Sequence, residues 1–351
     1  MRAFVKTKIY LNMGDRICFR RNEGLRTIHP QWRGNPTVKG RFFNRQHRLR
    51  PGMGNVLKWR LSPNPQWVEK HTTKWNPKIN FLHSLTNVIG DSLIWLGHNS
   101  FFLQLGGKRI MFDPVFGNIP FVRRKSTFPA NPDIFTHIDY LLISHDHFDH
   151  LDKKSVARLV GNNPQMKLFC GLGTGELLQR WFPKMEVVEA AWYQQLSDDK
   201  LKITFLPAQH WSKRSMRDGG QRLWGAFMLE DDNISLYYSG DTGYSTHFSE
   251  VPELFGYSPD YLLVGIGAYK PRWFMQPNHI SPYDALTASR DMRAAVTIPM
   301  HYGTFDLSDE PLHDPPKVFA EEARKRGIRI EIPMLGEVVR LRKQHRSAHQ
   351  L

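Results

Sequence analysis

Residues 141–152 read LLISHDHFDHLD, with His145, Asp146, His147, Asp149 and His150 directly behind a short apolar run. At the end of a strand, side chains two positions apart point the same way, so His145 and His147 can share one metal ion. The chain then turns, and Asp149 and His150 are offered to a neighbouring position. Imidazole nitrogen and carboxylate oxygen are good zinc ligands. Two ions about 3.5–4 Å apart can share an activated water.

The segment alone is short of ligands for two ions. Other apolar runs end the same way: "ITFLPAQ" at His210, "SLYYSG" at Asp241 and "VTIPM" at His301. His210 can complete the set begun by His145 and His147, His301 can join Asp149 and His150, and Asp241 can bridge. Closed structural zinc sites lean on thiolates, whereas a set of His and Asp suits a catalytic site. Taken singly, His210 and His301 would read as ordinary hydrogen-bonded strand-end residues, and Asp241 in "SGDTG" equally as a turn former.

Other chemistries have little support. "GLGTG" (171–175) has Gly173 where a nucleophile elbow needs Ser. No GxxxxGK[ST] phosphate loop is present. Cys18 and Cys170 lie far from the His segment and form no disulfide framework.

The elements that must position these residues come next. The chain has 351 residues with 40% hydrophobic content. That is enough for a substantial core. Residues 1–85 read as an irregular, basic extension, punctuated by "LSPNPQW" and "WNPKIN", that packs on or wraps a catalytic region spanning 86–351. That region alternates strand-length apolar runs with helices. "LQLGGKRI" reads as a hairpin, "DKKSVARLV" as a helix opened by an Asp, "SPYDALTASRDMRA" as one capped by Ser281, and "PPKVFAEEARKRG" as one closed by Gly327. The expected fold is an α/β sandwich, two sheets covered by helices. The net charge of +15 favours anionic partners, or serves solubility alone. The charged N-terminus MRAFVKTKIYLNMGDRICFRR lacks a secretory signal's apolar core, and no stretch reaches the roughly 20 apolar residues of a spanning helix. The expected location is cytoplasmic, with peripheral membrane association.

The segment "HDHFDH" resembles the HxHxDH signature of metallo-β-lactamase fold hydrolases. "WLGHNSFFLQLGGKRIMFDPVF", "PAQHWSKR", "LWGAFML", "SGDTGY", "IGAYKPRWFM", "NHISPYDA" and "HYGTFDL" follow in the order of one branch, the N-acylphosphatidylethanolamine-hydrolysing phospholipase D family. "KGRFFN" and "VLKWRL" extend the resemblance over roughly residues 38–340. It implies a four-layer αββα metallo-β-lactamase sandwich with two Zn(2+) ions at its edge. His145, His147 and His210 would hold one, Asp149, His150 and His301 the other, and Asp241 would bridge. It also implies hydrolysis of a membrane phospholipid to phosphatidic acid and an N-acylethanolamine. Asn278 stands where the animal enzymes carry Gln, and Tyr302 where they carry Trp; both changes bear on the lipid rather than on the metals.

Asp149 and Asp241 are thus expected in the catalytic centre. His279 is expected to hydrogen-bond the phosphate or protonate the leaving oxygen. Asp113 and His98 would orient ligating imidazoles from behind, although Asp113 reads equally as a turn former before Pro114. Lys213, Arg214, Arg272 and the run Arg123-Arg124-Lys125 would receive phosphate or headgroups, beside Tyr302 at the pocket. "FGNIPFVRRK" places Phe116, Ile119, Phe121 and Val122 next to cations, a mixture suited either to a membrane surface or to ordinary inward packing. The expected partners are the phospholipid substrate and a membrane surface, with a homodimer left open and no nucleic acid. Rival readings are a hydrolase of the same fold acting as nuclease or lactonase or on another phosphodiester, and a non-enzymatic lipid-binding metalloprotein.

Overall fold

A computed structural model describes residues 16–45 and 52–344. The N-terminal residues 1–15, and Arg48 and Arg50 of the basic stretch, lie outside them. Two seven-stranded mixed sheets form the frame. The first runs in the order Val187–Ala190, Lys167–Gly171, Tyr140–Ile143, Lys108–Phe112, Ser100–Leu105, Ser92–Gly97, Val338–Arg340. The second runs Val296–Met300, Tyr261–Gly265, Ser235–Tyr238, Ala226–Glu230, Leu201–Leu206, Gln194–Asp198, Arg26–Thr27.

Alternation along the strands builds the layers. Leu93, Trp95, Phe101 and Leu103 join a core shared with Phe205, Phe227 and Tyr238 of the second sheet. Phe112 stacks on Tyr238 there, with ring centroids 4.6 Å apart. Their neighbours Ile94, Leu96 and Phe102 face the other way, against Val156 and Leu159 of helix Lys153–Asn162 and Leu177 and Leu178 of helix Thr174–Trp181. Beyond the second sheet, Ala285, Leu286 and Met292 of helix Pro282–Met292 and Phe319 of helix Asp314–Arg326 close the outer layer. Burying each such large apolar side chain contributes roughly 1.5–3 kcal/mol. The expected αββα sandwich is what forms.

Local signals act as their chemistry dictates. Gly106 and Gly107, with φ of 58° and 79°, make the two-residue turn between Ser100–Leu105 and Lys108–Phe112. Asp152 caps its helix by accepting from Ser155 N–H, and Ser281 forms a reciprocal capping box with Asp284. The N-terminal region is less irregular than expected. It holds a small sheet of Ile17–Arg20, Asn35–Val38 and Arg41–Phe42, and helices Met53–Leu61 and Trp67–Thr72. The Ser62–Pro65 breakers fall between those two helices rather than dissolving them. No helix among the described residues is long and apolar enough to cross a membrane.

The strands Ser235–Tyr238, Tyr261–Gly265 and Val296–Met300 are parallel neighbours, so their carboxyl ends lie on one edge. Tyr140–Ile143, among parallel neighbours of the first sheet, ends just before His145. That edge is where open α/β sheets present their sites.

Candidate metal centre

All seven residues expected as ligands converge at this edge. His145 Nε2 lies 2.9 Å from His147 Nδ1, which lies 3.2 Å from His210 Nε2. Tetrahedral zinc at its usual Zn–N distance spaces ligand nitrogens by roughly 3.3 Å. Protons are fixed on the far side of two of these rings. His210 Nδ1 donates to Asn278 O at 3.1 Å, a carbonyl that can only accept. His145 Nδ1 sits 3.0 Å from Ser144 Oγ, which itself donates to Asp113 Oδ2 at 2.5 Å. The Nε2 lone pairs of His145 and His210 therefore face inward, towards His147.

The second set gathers round Asp149. Its Oδ2 is 3.5 Å from His150 Nε2 and 3.7 Å from His301 Nε2. Asp241 Oδ2 stands between the sets, 3.2 Å from His150 Nε2, 3.1 Å from His301 Nε2, 3.8 Å from His210 Nε2 and 4.0 Å from His145 Nε2. Despite these approaches, the Nε2 atoms of His150 and His301 are buried without a hydrogen bond. A buried polar atom left so is costly. An inward cluster of nitrogens and carboxylate oxygens fits a cation.

Electrostatics divides the two sets. Burial holds His145, His147 and His210 below the usual imidazole range, so they are neutral bases near pH 7. Burial also opposes charge on His150 and His301, but Asp241 and Asp149 outweigh it. They raise His150 well above the ordinary value and His301 to about 9. Asp149 and Asp241 stay far below the usual carboxylate range; burial works against this, and His150 overcomes it.

The support around the cluster is only partly as expected. Asp113 accepts from His150 Nδ1 at 2.8 Å, from Ser144 N at 2.8 Å and from Tyr238 OH at 2.7 Å. One buried carboxylate thus orients His150 directly and His145 through Ser144. His98 does not orient an imidazole; its Nε2 holds Asp149 Oδ2 at 3.0 Å, beside the His301 ring. His98, Asp113 and His301 all carry positive φ, at 53°, 36° and 60°. Such strain costs about 1–3 kcal/mol per residue and clusters at functional sites.

The cation assignments need correction. Arg214 does not face a ligand space. It donates to the carbonyls of Asp146 and Leu151, at the two ends of the His/Asp turn, and lies 4.1 Å over the Phe148 ring. Arg272 is committed to Asp284 Oδ2 at 2.7 Å and His279 O at 3.3 Å. Tyr302 is buried, stacked on Trp95 at 4.8 Å. Lys213 is half-buried and its backbone N–H donates to Asp146 Oδ1 at 2.9 Å, a contact that does not involve its ammonium. In "FGNIPFVRRK", Phe116 packs on Phe128, Ile119 is buried, and Arg124 donates to the carbonyls of Leu96, Val115 and Ser126; Phe121 stands fully exposed between them.

Sequence reasoning missed the support from the N-terminal region. Asn44, buried, pairs with the backbone of His210: its Nδ2 donates to His210 O at 2.8 Å and its Oδ1 accepts from His210 N at 3.1 Å. Trp75 Nε1 donates to Gly303 O at 2.7 Å, two residues past His301. A single Asn in a loop carries no sequence signal for such a contact. His279 does reach the centre: its Nδ1 is 3.7 Å from Asp241 Oδ2 and its ring 5.2 Å from those of His210 and His301.

This fold and this cluster define a metal-dependent hydrolase of the metallo-β-lactamase kind. The chain belongs to that superfamily: residues 108–302 match the beta-lactamase superfamily domain. It is 30% identical over 285 residues to N-acyl-phosphatidylethanolamine-hydrolyzing phospholipase D 1 of Caenorhabditis elegans, covering 74% of this chain and 78% of that one. It is 29% identical to a metal-dependent hydrolase of Sulfurisphaera tokodaii, covering 71% of this chain and 99% of that one. A metallo hydrolase from Ignicoccus hospitalis shares the fold at TM-score 0.55 and 23% identity, over 71% of this chain and 97% of that one.

Two outcomes follow. Asn44→Ala frees the His210 backbone and weakens Zn(II) affinity of the His145–His147–His210 set by roughly 10–100-fold, read by competition with a chelating dye. Metal uptake by the set containing His150 and His301 displaces protons at pH 7, so it tightens as pH rises towards about 9, whereas uptake by the neutral set is nearly pH-independent there. Calorimetric titration of the metal-free protein in two buffers of different ionisation enthalpy measures the difference.

Proposed function

We propose that the protein is a zinc-dependent phosphodiesterase that cleaves N-acylphosphatidylethanolamine-type phospholipids, releasing N-acylethanolamine and phosphatidic acid. The observation that carries the reading is the extent of the likeness to the Caenorhabditis elegans enzyme. It runs over 285 residues, well past the 108–302 span of the superfamily domain, and the expected catalytic residues meet at one edge.

His145, His147 and His210 would hold one zinc, Asp149, His150 and His301 a second, with Asp241 between them. Such ions, when bound, supply Lewis acidity to the phosphoryl group and bring the acidity of water near neutral. The chain's own residues do the rest. Asp241 and Asp149 provide the negative charge that holds the cations in a buried place. Asp113, through His150 and Ser144, keeps the ligand tautomers ready. His279 sits opposite the ligands with Nδ1 towards Asp241, leaving Nε2 for substrate. Burial lowers His279 to about 4, with Asp241 opposing, so it is neutral at pH 7. A neutral imidazole that turns its Nδ1–H to Asp241 offers an Nε2 lone pair, which accepts a hydrogen bond from a water or hydroxyl at the substrate and does not supply a proton to the leaving group.

With Arg214 and Arg272 committed elsewhere, lipid contact is assigned to the Phe121 loop and its exposed cations Arg123 and Lys125. An apolar tip flanked by cations suits insertion at an anionic bilayer surface.

The reading is tested by incubating zinc-loaded protein with N-acylated phosphatidylethanolamine in micelles and, separately, with single-stranded RNA and a lactone. Release of ethanolamide is expected, falling on the order of 100-fold in Asp149→Asn. Turnover of RNA or the lactone without lipid cleavage would transfer the site to another substrate class. Flotation with phosphatidylserine-containing vesicles checks the loop: the triple variant F121S/R123S/K125S is expected to bind several-fold more weakly, and unchanged binding rules that loop out.

A further inference from the structure

His279 is expected to act on substrate, although with His210 and Asp241 it also forms a group able to hold a metal ion. It follows the loop after helix Arg272–Met275, away from the strands that deliver the ligands. Its own backbone N–H bonds to Met275 O at 2.8 Å, which ties it to its own loop only. Something must fix that loop against the rest of the edge.

Gln209, the buried residue before His210, makes the connection. Its backbone N–H donates to Thr242 Oγ1 at 2.9 Å, and its carbonyl accepts from Gly243 N at 2.8 Å, an isolated antiparallel bridge beside Asp241. Its side-chain Nε2 donates to Pro277 O at 2.9 Å. The acceptor is a carbonyl, so the amide nitrogen must face it. The next residue repeats the pattern, His210 Nδ1 donating to Asn278 O. Two consecutive side chains thus grip two consecutive carbonyls immediately ahead of His279. The three segments meet so closely that a Cβ on Gly243 would stand 2.8 Å from Gln209 Nε2 and closer still to Pro277 O. Only glycine fits there.

We propose that Gln209 is a positioning residue: its side-chain amide, gripping Pro277 O, sets the distance from His279 to Asp241 and the metal ligands. It touches neither substrate nor metal and acts through the 276–279 segment. The inference rests on His279 acting on substrate as set out above. Gln209→Ala removes the donor. Gln209→Glu keeps the shape but presents a carboxylate to a carbonyl, so a packing role would survive in it and a donor role would not.

Zinc-loaded proteins are compared on bis(p-nitrophenyl) phosphate, a plain phosphodiester. Both Gln209 variants are expected to keep the wild-type metal content and KM while kcat falls about 10–100-fold. Adding Q209A to H279A should cost little more, since the two changes remove one function. A second readout needs no turnover. The imidazole Cε1–H resonance of His279, identified by its loss in H279A, should shift or broaden in Q209A while that of His98 stays put. Loss of metal, kcat losses that add to those of H279A, or an unmoved His279 resonance would each overturn the proposal. Wild-type turnover undiminished in H279A would instead remove His279 from the proposed chemistry, and Gln209 would then be judged on the resonance alone.

Discussion

The constraint on which everything else depends is charge burial at one point. Asp241, almost fully enclosed, lies within about 4 Å of five imidazole nitrogens, and Asp149 lies beside two of them. Bare carboxylates removed from water cost several kcal/mol each unless opposite charge is close. In the metal-free chain that charge comes from His150 and His301, held protonated by the two carboxylates. Cations, when bound, would take the place of those protons on the same side chains.

Holding such a cluster requires stiffness, and the stiffness is distributed. The sheets set the strand ends, and Asp113 then gathers Ser144, Tyr238 and His150 on one carboxylate. Arg214 clamps both ends of the His/Asp turn by its carbonyls, a use of guanidinium as a multi-pronged donor rather than as an anion receptor. Asn44 and Trp75 reach in from the N-terminal region to the neighbourhoods of His210 and His301. Backbone strain at His98, Asp113 and His301 is tolerated because these contacts over-determine it.

Much of this is legible in the residues themselves. "HDHFDH" after a buried strand, and apolar runs ending at His210, Asp241 and His301, announce their chemistry because metal ligands must be of a few types. The hairpin at Gly106-Gly107 and the caps at Asp152 and Ser281 are local rules obeyed locally. The expectations that fail share a physical cause. An arginine looks the same in sequence whether its guanidinium meets phosphate or a carbonyl of its own chain, and Arg214 and Arg272 fall to that ambiguity. Asn44 and Gln209 act through contacts with residues distant in the chain, which no spacing rule reaches. The helices Met53–Leu61 and Trp67–Thr72 are hidden because the breakers between them dominate the local pattern.

The ligands are drawn from both layers of the sandwich, and from widely separated stretches of the chain. His145 to His150 follow a strand of the first sheet; Asp241 and His301 follow strands of the second. An ion held between them is a rivet through the two layers. During synthesis the His/Asp turn leaves the ribosome long before His301 exists, so early capture can only be partial. The rivet can close only once His301 has been made, directly after the last strand of the second sheet, which ties completion of the centre to completion of that sheet.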